Sequence, residues 1–299
     1  MEPDPKVAKR RRRAGIANRR PSQILLGGRR QRVIIISGMA SLSLTAFETP
    51  AHSKISAIIR NRSTNPVDVR AAALHGLQLG HARIILDVGC GFGFMTEAVV
   101  PRVRPDAQFV GVDAGAGNEQ PYLARLRAAG GQGRFVCRRL HEELSWPDAH
   151  FDLVLASYVL YFFPGLLPEV ARVLAPDGLL IAITHAAHCG TSLADLIDIP
   201  DLRARWQALI DRFSGDNGTA LLEPWFKIVE RVDYANALVF TSEQCDELLA
   251  YLEFKLRLLA PEARASEALA RAARILAAEG RIVLAKDDVV FRCRQPRCR

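Results

Sequence analysis

An α/β fold built on a mostly parallel sheet is predicted from three observations. Short runs of β-branched and aliphatic residues alternate with stretches of helical apolar spacing from residue 84 onward. The first run, Ile84-Ile85-Leu86-Asp87-Val88, is nearly continuous in apolar character, as a strand buried on both faces requires. It empties into Gly89-Cys90-Gly91-Phe92-Gly93, and Phe94-Met95-Thr96-Glu97-Ala98-Val99 follows with helical spacing, so the glycines sit where a strand hands over to a helix. A turn of that kind lets a ligand lie directly against backbone.

The spacing within the turn selects among ligands. A dinucleotide fingerprint needs a small residue three places after its second glycine, beside a pyrophosphate at the helix N-terminus. Phe94 occupies that position, which argues against NAD or FAD. The chain instead reads Asp87-x-Gly89-x-Gly91-x-Gly93, with an acid two residues ahead of the first glycine. A carboxylate there complements a cationic ligand and would repel a pyrophosphate. This stretch resembles motif I of the class I S-adenosylmethionine (SAM) methyltransferases. The resemblance implies a Rossmann-like, seven-stranded, mostly parallel sheet, SAM as cofactor, and Asp87, Gly89, Cys90, Gly91 and Gly93 at the cofactor.

The elements that follow agree. Gln108-Phe109-Val110-Gly111-Val112-Asp113 is a second strand ending in an acid. Its distance from the glycines is that of a strand-helix-strand unit, which brings a carboxylate beside ribose hydroxyls. Residues 122–130 read as a helix and 133–137 as a third strand. Where many relatives then carry an Asp near the adenine, this chain has Arg138-Arg139-Leu140-His141-Glu142, so Leu140 is expected to offer backbone and His141 or Glu142 to stand in for the acid. The run at 153–160 is a fourth strand and its exit, placing Ser157 at the cofactor. Residues 166–174, the turn Ala175-Pro176-Asp177-Gly178 and the strand 179–184 resemble the family's helix, turn and fifth strand.

Residues 186–226 are helical and irregular and are expected to form a lid inserted between strands five and six. Residues 228–240 are assigned to strand six, 242–259 and 261–278 to helices, and 281–284 together with 289–293 to strand seven. Upstream, residues 39–80 are expected to form a helical cover over the substrate pocket, ahead of a methyltransferase domain at 81–299. Within that cover His52 and Lys54 read as solvated polar residues on a helix face, with substrate contact as the alternative.

The net charge of +8 is confined to one end. Residues 1–32 hold eleven lysines and arginines against Glu2 and Asp4, a surplus of nine that leaves the rest of the chain near −1. The body therefore lacks the basic stripe of a dedicated nucleic-acid enzyme, and nucleic acid is expected, if at all, through that tail. Residues 1–38 read as a basic disordered tail or as upstream sequence preceding a native start at Met39. The apolar segment 33–47 is too short to span a membrane as a helix. Six scattered cysteines in a chain with 49% hydrophobic residues point to a reducing compartment, hence the cytoplasm, rather than to a disulfide framework. Cys293 and Cys298 read as exposed thiols, and no metal site is expected.

Methyl transfer from a sulfonium needs alignment more than catalytic groups. Tyr158 and Tyr161, after strand four, are assigned to the methyl acceptor, with Tyr158 also a candidate catalytic group. His185, after strand five, is a candidate general base. An amine-methylating Asn/Asp-Pro-Pro-Tyr/Phe stretch is replaced here by Ser157-Tyr158-Val159-Leu160, and there is no Pro-Cys nucleophile. The expected activity is SAM-dependent methylation of a small molecule. RNA or protein methylation and a non-catalytic SAM-binding scaffold are the alternatives, and the oligomeric state is left open.

Overall fold

The computed structural model describes residues 33–34, 42–43, 47, 50–140, 143–199, 201–260 and 265–297. The expectations for residues 1–32, for a start at Met39, and for His141, Glu142 and Cys298 lie outside the described residues. β1 (Val33–Ile34) pairs antiparallel with β2 (Leu42–Ser43), so paired backbone lies on both sides of the boundary expected at residue 38. α1 (Pro50–Arg62) and α2 (Val69–Leu74) follow. The Asp68 carboxylate caps α2 by accepting from the Arg70 N–H, satisfying one of the donors that a helix start leaves unpaired.

The central layer then builds in order: β3 (Ile84–Val88), α3 (Phe94–Val99), β4 (Gln108–Asp113), α4 (Glu119–Ala128), β5 (Gln132–Cys137), β6 (Phe151–Ser157), α5 (Leu167–Val173) and β7 (Leu174–His185). The segment after β7 supplies α6 (Thr191–Ile197), α7 (Leu202–Ile210) and α8 (Gly218–Leu222). The chain closes with β8 (Phe226–Tyr234), β9 (Ala237–Thr241), α9 (Cys245–Leu259), α10 (Ala265–Glu279), β10 (Arg281–Ala285) and β11 (Asp288–Pro296). The seven-stranded sheet runs β5-β4-β3-β6-β7-β11-β8. Its first five strands are parallel, and β11 is antiparallel to both neighbours. Leu86, Val88, Val154 and Ala156 pack into the core on one face, and Ile85, Leu153 and Leu155 into the core on the other. Burial on both faces explains why these runs are apolar without alternation.

Three expectations are corrected. Strand six ends at Tyr234 and does not continue through residue 240. β9 leaves the central sheet and pairs with β10 in a separate two-stranded antiparallel sheet, so β11 alone is strand seven. The departures are fixed at one junction. The Asn236 N–H donates to Asp287 Oδ1 and the Lys286 N–H donates to the Asn236 carbonyl, turning both chains out of the sheet together. Cys293 is buried in β11 rather than exposed, since that strand lies between β7 and β8 and is covered on both faces over its first six residues. Among the described residues no helix is long and apolar enough to cross a membrane.

Candidate active site

The loop after β3 is shaped by positions that cannot carry ordinary side chains. Gly89 has φ +64°, and a Cβ there would lie 2.6 Å from Val159 Cγ2. Gly91 has φ +50° and faces the His52 ring, 3.7 Å from where its Cβ would be. The backbone of this loop is therefore bare on its open side. Gly93 precedes α3 and packs against Tyr122, away from the cavity described below, so its part is to turn the helix.

Two carboxylates flank the loop. Asp87 is 2% exposed and accepts a 2.6 Å hydrogen bond from the Thr96 hydroxyl. Burial pushes its pKa up to about 7, with the charge of Asp113 adding to the rise and the Thr96 hydroxyl opposing it. Asp113 ends β4 and accepts from the N–H groups of Gly91 (3.0 Å) and Gly115 (2.8 Å) and from the Asn118 amide (3.1 Å). These bonds fix its orientation, fill both lone pairs of Oδ1 and leave one free on Oδ2.

Asp87, Gly89, Cys90, Gly91, Asp113, Leu140, Ser157, Tyr158, Tyr161 and His185 all line one cavity of about 380 Å³. The topology gathers them because the loops after β3, β4, β6 and β7 leave the same edge of the parallel sheet. The Ser157 Oγ is buried without a hydrogen-bond partner among the described residues. Cys90 is a buried thiol whose pKa is driven well up by burial.

At the far end of the cavity Asp288, the first residue of β11, is a hub. It receives the Lys286 ammonium at 2.8 and 2.5 Å, the Tyr158 hydroxyl at 2.9 Å and His185 Nδ1 at 2.8 Å. Tyr158 reaches this hub from a left-handed backbone conformation, φ +55°, which is strained for a tyrosine and turns its ring off the end of β6. His185 stacks on Tyr161 and lies tilted against Tyr158 and Trp206. Burial, and then the Lys286 charge, push its pKa down to about 4, against the pull of Asp288. The imidazole is thus neutral near pH 7 and weakly basic. With Nδ1 tied to Asp288, Nε2 is the ring nitrogen left for a substrate.

His52 departs from the solvated reading. It sits edge-on to Phe47 and Phe92 and stacks on Phe254, with Nδ1 buried and unpartnered among the described residues, whereas Lys54 is exposed. Lys255, Lys286 and Asp288 escaped sequence reasoning altogether. The one available signal was a lysine inside the apolar run Leu252-Glu253-Phe254-Lys255-Leu256 and an acid at the head of an apolar strand. Both patterns read equally well as a snorkelling side chain and a turn.

A doubly wound sheet with a bare strand-to-helix loop, an acid on each of the first two strands and a cavity at the strand ends defines the class I SAM-dependent methyltransferases. Residues 85–178 match the family model described as a methyltransferase domain. The chain is 31% identical over 162 residues to a malonyl-[acyl-carrier protein] O-methyltransferase of Halorhodospira halophila, covering 49% of this chain and 49% of that protein. It is 37% identical over 106 residues to a trans-aconitate 2-methyltransferase of Azoarcus sp., covering 34% and 39%. The chain thus spans about half the length, or less, of these relatives. A candidate methyltransferase of Bacillus halodurans C-125 shares the fold, with a TM-score of 0.52 at 15% identity over 76% of this chain and 99% of that one.

The residues present suit SAM. The loop offers backbone without side chains, the buried Asp87 carboxylate lacks a cationic partner among the described residues, and Ser157 holds an unsatisfied hydroxyl in the same cavity.

Proposed function

We propose that this protein transfers the methyl group of SAM to a small organic acceptor held at the aromatic end of the cavity. The observation that carries this reading is continuity: Asp87, Asp113 and the chamber formed by Tyr158, Tyr161, His185, Trp206 and Phe254 line one cavity. Its volume and mainly apolar lining suit a small-molecule site. α1, α7 and α9 all contribute walls, so helices from three separate segments cover the sheet ends. The names of these relatives, one for trans-aconitate and one for malonyl-[acyl-carrier protein], support small acids or acyl groups as acceptors.

In this reading Asp113 accepts the ribose hydroxyls and Asp87 neutralises the cofactor's ammonium. The loop at Gly89 and Gly91 receives its amino-acid portion, Leu140 lies toward the base beyond Asp113, and Ser157 stands on the other side of the loop, at the end of β6. SAM brings its own activated methyl. The chain's task is to orient the acceptor, with Tyr158 and Tyr161 as walls fixed by stacking and by the Asp288 hub. His185 Nε2 can take a proton, but an imidazole pushed down to about 4 serves acceptors that are already ionised or strongly acidic.

The test is transfer of label from methyl-tritiated SAM into a cell extract divided by ultrafiltration. Label is expected in the small-molecule fraction. Label confined to RNA or protein would contradict the reading.

A further inference from the structure

The charges in the cavity are distributed unevenly, and at its aromatic end one cation is unanswered among the described residues. Asp87 and Asp113 stand at the glycine loop. Lys286 is neutralised by Asp288. Lys255, on α9, also lines the cavity, yet among the described residues no carboxylate or hydrogen-bond acceptor meets its ammonium. Its Nζ lies 5.2 Å from the ring centroid of Trp206 and 5.6 Å from that of Tyr251, over aromatic faces that attract a cation without neutralising it. Trp206 in turn packs against His185, which places the free cation at the acceptor end, beyond the tyrosines. Building on the methyltransferase reading above, we infer that the acceptor is a carboxylic acid with an apolar or aromatic body, whose carboxylate is held by the Lys255 ammonium.

The physical case is one of complementarity. An ammonium held over the rings of Trp206 and Tyr251 is partly desolvated, and its pKa is lowered to about 8, chiefly by burial. It remains mostly charged at neutral pH. A carboxylate arriving from solution relieves that desolvation and forms a charge-assisted hydrogen bond inside a low-dielectric enclosure. A neutral acceptor of the same shape leaves the cation uncompensated. Phe162, Leu209 and Phe254 provide the surface for an apolar body. The weak basicity of His185 agrees, since an anionic acceptor does not depend on a strong base in the wall. The cofactor's needs are met at the opposite end, so Lys255 is a specificity residue for the acceptor.

The experiment is a calorimetric comparison on the full chain saturated with S-adenosylhomocysteine, using acid and amide pairs as probes: octanoate with octanamide, and benzoate with benzamide. The wild type is expected to bind at least one acid roughly tenfold or more tighter than its amide. Lys255→Met is expected to erase that preference and Lys255→Arg to restore part of it. S-adenosylhomocysteine affinity should be unchanged in both variants, which also shows that they fold. Equal binding of acid and amide, binding of neither in both pairs, or a preference that survives Lys255→Met would overturn the inference. A parallel loss of S-adenosylhomocysteine affinity in Lys255→Met would overturn it too, by making the lysine a cofactor contact. Failure of the wild type to bind S-adenosylhomocysteine is a separate result, and it strikes the methyltransferase reading itself.

Discussion

Lys286→Met is expected to destabilise the fold by about 3–5 kcal/mol, because it removes one member of a buried ion pair and leaves the other uncompensated. The side chains of Lys286 and Asp288 are 4% and 2% exposed, and Tyr158 and His185 both lean on the same carboxylate. The loss should be partly absorbed by His185. With the repelling ammonium gone, its pKa should climb from about 4 toward the ordinary histidine range, visible in an NMR titration. Adding Asp288→Asn to Lys286→Met should recover much of the stability, since the amide oxygen can still accept from Tyr158 or His185 while no charge remains buried. A melting temperature unaltered by Lys286→Met would show that the hub does not hold the acceptor end together.

Asp87→Asn is expected to act in opposite directions on stability and on binding. The folded-state pKa of Asp87 is raised to about 7, above its unfolded value. Stability linked to the protonated carboxyl is therefore fully present below the ordinary carboxylate range and lost as pH rises through about 7. The asparagine cannot ionise and keeps an acceptor for the Thr96 hydroxyl. At about pH 8 the variant should exceed the wild type by roughly 2–4 kcal/mol, measured by denaturant unfolding of the free protein. SAM binding should weaken, because the cationic ligand has lost its buried counter-charge. In the wild type the cation favours ionised Asp87, so binding expels a proton below about pH 7 and affinity should rise between about pH 6 and pH 7.5. In the variant that slope should flatten. A wild-type slope in Asp87→Asn would remove Asp87 from the cofactor site.

The legible part of this protein was the part encoded locally. The run Ile84-Ile85-Leu86, the alternating glycines and the acid closing Gln108–Asp113 each carry their meaning within a few residues, and the parallel sheet follows from their repetition. Tyr158, Tyr161 and His185 were legible from their places after strands, but the Asp288 hub that joins Tyr158 and His185 was not, because its contacts link distant segments. His185 and Asp288 are 103 residues apart, and Tyr158 and Asp288 are 130 apart. Nothing in the periodicity of α9 distinguishes a lysine turned into a cavity from one stretched along a surface. The β9–β10 pairing was missed for a related reason. Residues 228–240 read as one strand, and the break comes from an asparagine that bonds to a residue 51 positions away. His52 was misplaced because an amphipathic helix shows which face is polar without showing that another helix, α9, closes over it.

The most direct test of the central claim is calorimetric titration of the full chain with SAM, wild type beside Asp113→Ala. Saturable binding is expected for the wild type. Removing the carboxylate that orients the Gly91 and Gly115 N–H groups should weaken binding by about 1–3 kcal/mol, or roughly 5- to 150-fold. Equal affinity in the two proteins would contradict the assignment of Asp113 to the ribose. No binding by the wild type would contradict the account of the cavity as a cofactor and acceptor site.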